Sequence, residues 1–107
     1  MNYIREIVAL DEKKEEVKIT WPIASKSVAH SHGDSYGIIE VLEGKVYENR
    51  FDKASGKFLG SLTHSQGEIF HETPDIIHIM GNKSDTVAIT YHVYTPPLKM
   101  MHHPEYC

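Results

Sequence analysis

Short alternating or apolar stretches, each cut off after a handful of positions by turn formers, constrain this chain more than any other feature. Tyr3 to Ala9, Val17 to Trp21, Gly37 to Leu42, Lys45 to Phe51, Phe58 to Leu62, Ile76 to Met80 and Thr86 to Thr95 are rich in Val, Ile, Tyr and Phe, residues that suit a pleated, half-buried surface. Glu43-Gly44 can close a tight hairpin. Asp52-Lys53-Ala54-Ser55-Gly56 can close a longer one, and Ser65-Gln66-Gly67, Thr73-Pro74-Asp75 and Gly81-Asn82 supply later reversals. No segment longer than about ten residues carries a capped apolar stripe of helical period. Strands at this spacing without helical crossovers predict an all-β fold, an antiparallel sandwich or barrel, of which a jelly roll is one solution. At 107 residues the chain is expected to form a single domain over 1–107, large enough to bury a core without disulfides.

Charge narrows the classes of partner. The net charge is -4, with Lys and Arg scattered among Asp and Glu, so no basic stripe is offered to nucleic acid or to an acidic membrane. The run from Asp11 to Glu16 reads as a solvated turn. Apolar runs fall far short of the roughly 20 residues that span a bilayer, and no basic-then-apolar signal segment opens the sequence. A cytoplasmic protein acting on small molecules is the expectation, with no nucleic acid and no membrane among its partners. The single cysteine, Cys107, is the last residue, where it reads as part of a frayed tail.

Eight histidines are the compositional outlier, and imidazole is the commonest transition-metal ligand and general acid or base. His30 and His32 stand two apart, so on an extended strand both rings project from one face and can grip one ion. A lone H-x-H also arises on solvent faces. Thr90, His92 and Tyr94 alternate and share a face, the arrangement a hydrogen-bonded relay requires; singly, a buried His or Tyr is more often structural. His64, His71, His102 and His103 lie beside turns or in the tail and read as surface residues. Met80, Met100 and Met101 could line a cavity, although gap filling is the usual role of methionine.

These residues carry a resemblance. The cupin family has a first motif G-x5-H-x-H-x3,4-E-x6-G and a second motif G-x5-P-x-G-x2-H-x3-N; His30, His32 and Gly44 match the first, and Gly67, His78 and Asn82 the second. The chain departs from the pattern at three places: Ala24 replaces the opening glycine, Thr73-Pro74-Asp75 replaces P-x-G, and Gly37 stands where the metal-binding glutamate belongs. A shell of three neutral imidazoles leaves the full dipositive charge available to an anion such as a thiolate. Among cupins this shell is similar to that of the thiol dioxygenases. The run His30-Ser31-His32-Gly33-Asp34-Ser35, Trp21 ahead of it, and Thr90-Tyr91-His92-Val93-Tyr94-Thr95-Pro96-Pro97 all resemble the cysteine dioxygenase family, whose closing strand ends H-x-Y-S-P-P. Tyr3-Ile4-Arg5 resembles its Y-x-R segment.

The resemblance implies a small jelly-roll-like cupin barrel holding Fe(II) on His30, His32 and His78. It implies Arg5, with Tyr3, on the substrate carboxylate, and Tyr94 beside the metal, oriented by His92 and Thr90. The implied reaction adds dioxygen to L-cysteine to give cysteine sulfinic acid. An enzyme for 3-mercaptopropionate is the nearest alternative, which glutamine at the Arg5 position would have suggested; a non-enzymatic metal-binding cupin is another. Family members usually carry a helical section before Y-x-R, so a minimal or truncated version is expected here. Mammalian members have cysteine at the Gly37 position, where it crosslinks to the closing-strand tyrosine, so no such thioether is expected.

Overall fold

The structure, a computed structural model, describes residues 2–98; Met100, Met101, His102, His103 and Cys107 lie outside them. Its elements are eight strands: β1 (Ile4–Leu10), β2 (Glu15–Trp21), β3 (Tyr36–Glu43), β4 (Lys45–Asp52), β5 (Phe58–Ser65), β6 (Ile69–Glu72), β7 (Ile76–Gly81) and β8 (Ala88–Thr95). They form a five-stranded sheet in the order β1-β2-β8-β3-β6, facing a three-stranded sheet in the order β5-β4-β7. All the pairings are antiparallel. Among the described residues no α-helix occurs.

Seven of the strands coincide with the alternating segments of the sequence. The eighth, β6, does not: its four residues are too few to display a period, and they sit between two groups of turn residues. The Asp11–Glu16 run is also corrected. A tight turn does form at Asp11, whose carboxylate accepts the backbone N–H groups of Lys13 and Lys14 at 2.7 and 3.0 Å. Glu15 and Glu16, however, already belong to β2, and Glu15 is fully buried.

Alternation decides what faces inward. On β2 the inward residues are Glu15, Val17, Ile19 and Trp21; on β8 they are Ala88, Thr90, His92 and Tyr94. The register places Glu15 beside Tyr94, Val17 beside His92, Ile19 beside Thr90 and Trp21 beside Ala88, so the two strands present one continuous inner surface. Val17, Ile19, Trp21, Ile39, Val41, Val46, Met80, Ala88, Tyr94 and Leu98 make the apolar core. Each large member contributes about 1.5–3 kcal/mol by leaving water. That core fills one part of the interior, and polar side chains fill the rest.

One irregular segment closes the barrel over those polar residues. Between β2 and β3 the chain runs antiparallel along β7 without forming a full strand, held by isolated bridges between Lys26 and Gly81 and between His30 and His78. Its backbone bonds include Ala24 N–H to Asn82 O at 3.0 Å, Ser27 N–H to Met80 O at 2.8 Å, and a reciprocal pair between His30 and His78 at 3.1 and 2.9 Å. The Asn82 amide donates to the carbonyls of Trp21 and Thr86 at 2.9 and 2.8 Å, pinning the end of this seam. Ala24, standing where the cupin pattern has glycine, adopts φ of 67°, the left-handed conformation that glycine takes most readily. His30 and His32 are therefore on this connection and not on a strand, as their alternation had suggested.

Candidate metal centre

The reciprocal backbone bonds between His30 and His78 make them a directly opposed antiparallel pair, whose side chains must lie on the same side of the seam. His32 follows after one residue and is fixed by a turn in which Ser35 N–H donates to the His32 carbonyl at 3.0 Å, with Gly33 at φ of 60°. The three side chains are buried, and their ligand nitrogens lie within 4.8 Å of one another. Ring centroids are 5.0 Å apart for His30 and His32, 4.6 Å for His30 and His78, and 4.9 Å for His32 and His78.

The outer partners of two of these rings fix their tautomers. His30 Nδ1 lies 2.7 Å from the Val28 carbonyl, which can only accept, so Nδ1 carries the proton and Nε2 the lone pair. His78 Nδ1 lies 2.8 Å from Glu48 Oε2, with the same consequence. The two Nε2 atoms then face each other at 3.1 Å. Two neutral imidazole lone pairs at that distance repel unless a proton or a metal cation stands between them. Two nitrogens each about 2.1 Å from one metal and at right angles would be about 3 Å apart. The donor set and its spacing fit a transition-metal ion held by neutral imidazoles.

Glu48 is the residue whose role the sequence hid. It is fully buried on β4, accepts from His78, and through Oε1 accepts from His64 Nε2 at 3.0 Å. A carboxylate behind a metal-ligand histidine holds the ring's tautomer and orientation and makes it a more basic ligand. Burial would raise the Glu48 carboxyl, but the hydrogen bonds from His64 and His78 prevail and hold it well below the usual carboxylate range. Glu72, on β6, approaches the same His78 nitrogen at 3.3 Å. Burial pushes its carboxyl above the ordinary value, assisted by the neighbouring Glu48. Arg50 stands near both carboxylates, 3.8 Å from Glu48 and 3.9 Å from Glu72. His64 is thus not the surface residue its position beside a turn suggested: it is 6% exposed and stacks on Phe70 with centroids 3.6 Å apart. His71 does lie on the outside, where Nδ1 is 3.1 Å from the Tyr36 hydroxyl.

Beside the histidines runs a buried line of hydrogen bonds. Trp21 Nε1–H donates to Thr90 Oγ1 at 2.9 Å, Thr90 Oγ1 lies 2.7 Å from His92 Nε2, and His92 Nδ1 lies 2.8 Å from the Tyr94 hydroxyl. The Tyr94 ring sits 4.9 Å from that of His32, centroid to centroid. A Cβ added at Gly37 would come within 3.0 Å of Tyr94 Cε1, so this glycine makes room for the phenol. Ser35 Oγ donates to the Pro96 carbonyl, tying the metal-binding connection to the end of β8, and the Thr95-Pro96 peptide is cis. Tyr3 packs on Trp21 with centroids 4.8 Å apart. Arg5, also facing inward, donates through Nη2 to Glu15 Oε2 at 2.7 Å.

Two sheets enclosing a three-histidine cluster define a metal-binding cupin. Solved cupins share the fold at low identity: an RmlC-like cupin with a double-stranded β-helix fold from Methanocaldococcus jannaschii (15% identity, TM-score 0.77, covering 94% of this chain and 86% of that one) is one. TT1209 from Thermus thermophilus (17%, 0.77, 90% and 85%) and KdgF from Halomonas (18%, 0.72, 94% and 85%) are similar in fold as well. The family model for cysteine dioxygenase type I matches residues 1–105, and the chain belongs to that family.

Proposed function

We propose that this chain is an iron(II)-dependent dioxygenase of small aminothiols, L-cysteine being the reference substrate, and that it makes the corresponding sulfinic acid. The observation that carries the reading is the pair of tautomer-fixed Nε2 atoms of His30 and His78 converging at 3.1 Å, with His32 beside them and the Tyr94 ring at its side. Iron bound there would favour the substrate's thiolate over its thiol and bring it next to dioxygen. The balance is RSH + O2 → RSO2− + H+. Both oxygen atoms go to sulfur, dioxygen is the oxidant, and no external reductant is consumed.

The chain's own residues have separable tasks. Glu48 and the Val28 carbonyl hold the protons of His78 and His30 on Nδ1 and keep both rings aimed inward. Trp21 can only donate, so Thr90 accepts from it and can direct its own proton to His92 Nε2. His92 Nδ1–H then donates to the Tyr94 oxygen, and the phenol proton is directed toward the reacting oxygen and sulfur. The buried apolar face of Val17 and Ile19 keeps water from that side. The test is to load the protein with iron(II) without oxygen, add L-cysteine or cysteamine and then air, and measure sulfinic acid by mass spectrometry against oxygen consumed. One sulfinate per dioxygen supports the reading; no oxidised thiol with fully loaded protein refutes it.

A further inference from the structure

Glu15 is a carboxylate on an inward position of β2, fully buried, on a strand paired on both sides: its backbone partners are Leu10 on β1 and Tyr94 on β8. It cannot turn to solvent without unzipping the sheet. Arg5 stands opposite Ile19 on β1, and its side chain runs along the inner face past Val17 to reach Glu15 at 2.7 Å. The guanidinium that the sequence assigns to a substrate carboxylate therefore already has a carboxylate, supplied by the protein and placed one strand from the Tyr94 phenol.

Resting on the aminothiol reading above, we infer that Glu15 sets the substrate class: the site takes aminothiols whose acid group is masked as an amide or absent, in preference to those with a free carboxylate. The reason is charge balance. With Glu15 in place, Arg5 no longer offers an uncompensated positive charge, and a substrate carboxylate would enter a buried region beside a fixed anion. What Arg5 still has is a buried Nε–H with no hydrogen-bond partner among the described residues. A neutral amide carbonyl satisfies such a donor without adding charge. Aminothiols fitting this description are cysteinyl amides, as at the amino end of a peptide, and cysteamine.

The test uses cobalt(II)-loaded protein under anaerobic conditions, following the thiolate-to-cobalt absorption band, so that binding is read apart from turnover. L-cysteinamide, cysteamine and L-cysteine are titrated, with concentrations expressed as thiolate to remove their different acidities. In the parent, cysteinamide should bind about tenfold or more tightly than cysteine, as expected for a juxtaposed like charge. Glu15→Gln, which keeps the size and a hydrogen bond to Arg5 but frees its charge, should shift the ratio toward cysteine by a similar factor. Cysteine binding as tightly as cysteinamide in the parent overturns the inference while leaving the aminothiol reading intact, and needs no variant. A ratio unchanged in folded Glu15→Gln also overturns it. Absence of the band with every thiol overturns both.

Discussion

Replacing Glu48 with glutamine tests whether the carboxylate behind His78 supports the metal site or only the fold. In the parent, Glu48 accepts from His78 at 2.8 Å and from His64 at 3.0 Å, two bonds to buried groups worth about 1.5–3 kcal/mol each when charge is involved. Glutamine keeps one acceptor and turns an N–H pair toward a second donor, so one bond is lost and the apo protein should be less stable by about 1.5–3 kcal/mol. If the amide keeps His64, His78 loses the acceptor that fixes its tautomer, and metal affinity should fall about 10- to 100-fold. His64→Phe is the control: it removes the other bond to Glu48 while sparing the Glu48–His78 contact, so it should lower stability with a change in metal affinity of less than about threefold. Affinity is read by competition with a chromophoric chelator, stability by urea melts without metal. Glu48→Gln holding metal as tightly as the parent refutes the reasoning, as does His64→Phe losing metal equally.

Tyr94→Phe should retain metal and thiol binding but turn over about 10²-fold or more slowly, the usual loss on removing one positioned donor; parental kcat, or a loss explained by missing metal, counts against the relay. Gly37→Ala would press a methyl to 3.0 Å from the Tyr94 ring and 3.3 Å from Glu72 Cβ. It should cost about 1–3 kcal/mol of stability and slow turnover, whereas an unaltered melt and rate would show that the ring yields without consequence. Burial disfavours charge on His64, but the hydrogen bonds it donates to Glu48 and Glu68 overcome this and raise its pKa from 6.5. The protonated His64 thus adds stability that is fully present below pH 6.5 and is lost as pH rises through the raised value. The melting-temperature advantage of the parent over His64→Phe should shrink from pH 6 toward alkaline pH, and an advantage that grows instead contradicts the sign.

The sequence shows its strands where alternation is long enough to count, and it shows the three histidines through their spacing. Their setting is hidden for a physical reason: a connection laced along β7 by isolated bridges has no periodic signature, because few of its residues pair. Glu15, Glu48 and His64 were concealed differently. Each is a polar residue at an inward position, and local pattern reading assigns polar residues to solvent unless their partners, distant in sequence, are known. The signal was present in part, since Glu15 extends the inward series of Val17, Ile19 and Trp21, and Glu48 follows Val46 in the same phase. β6 was lost because flanking turn residues outweighed four positions with no period of their own.

The seam along β7 has one more consequence. His30 and His32 belong to the connection and His78 to β7, so an ion gripping all three would rivet a sparsely bonded edge to the three-stranded sheet, across a loop of nearly fifty residues. The free energy of metal capture would then be delivered locally, as resistance of this edge to opening, and would rise with the logarithm of metal concentration over the dissociation constant. Amide hydrogen exchange at Ser27, His30 and His78, whose N–H groups form the seam, would slow on metal addition far more than at the centre of the β2 and β8 ladder. The fold would thereby carry its own occupancy gauge, readable without any substrate.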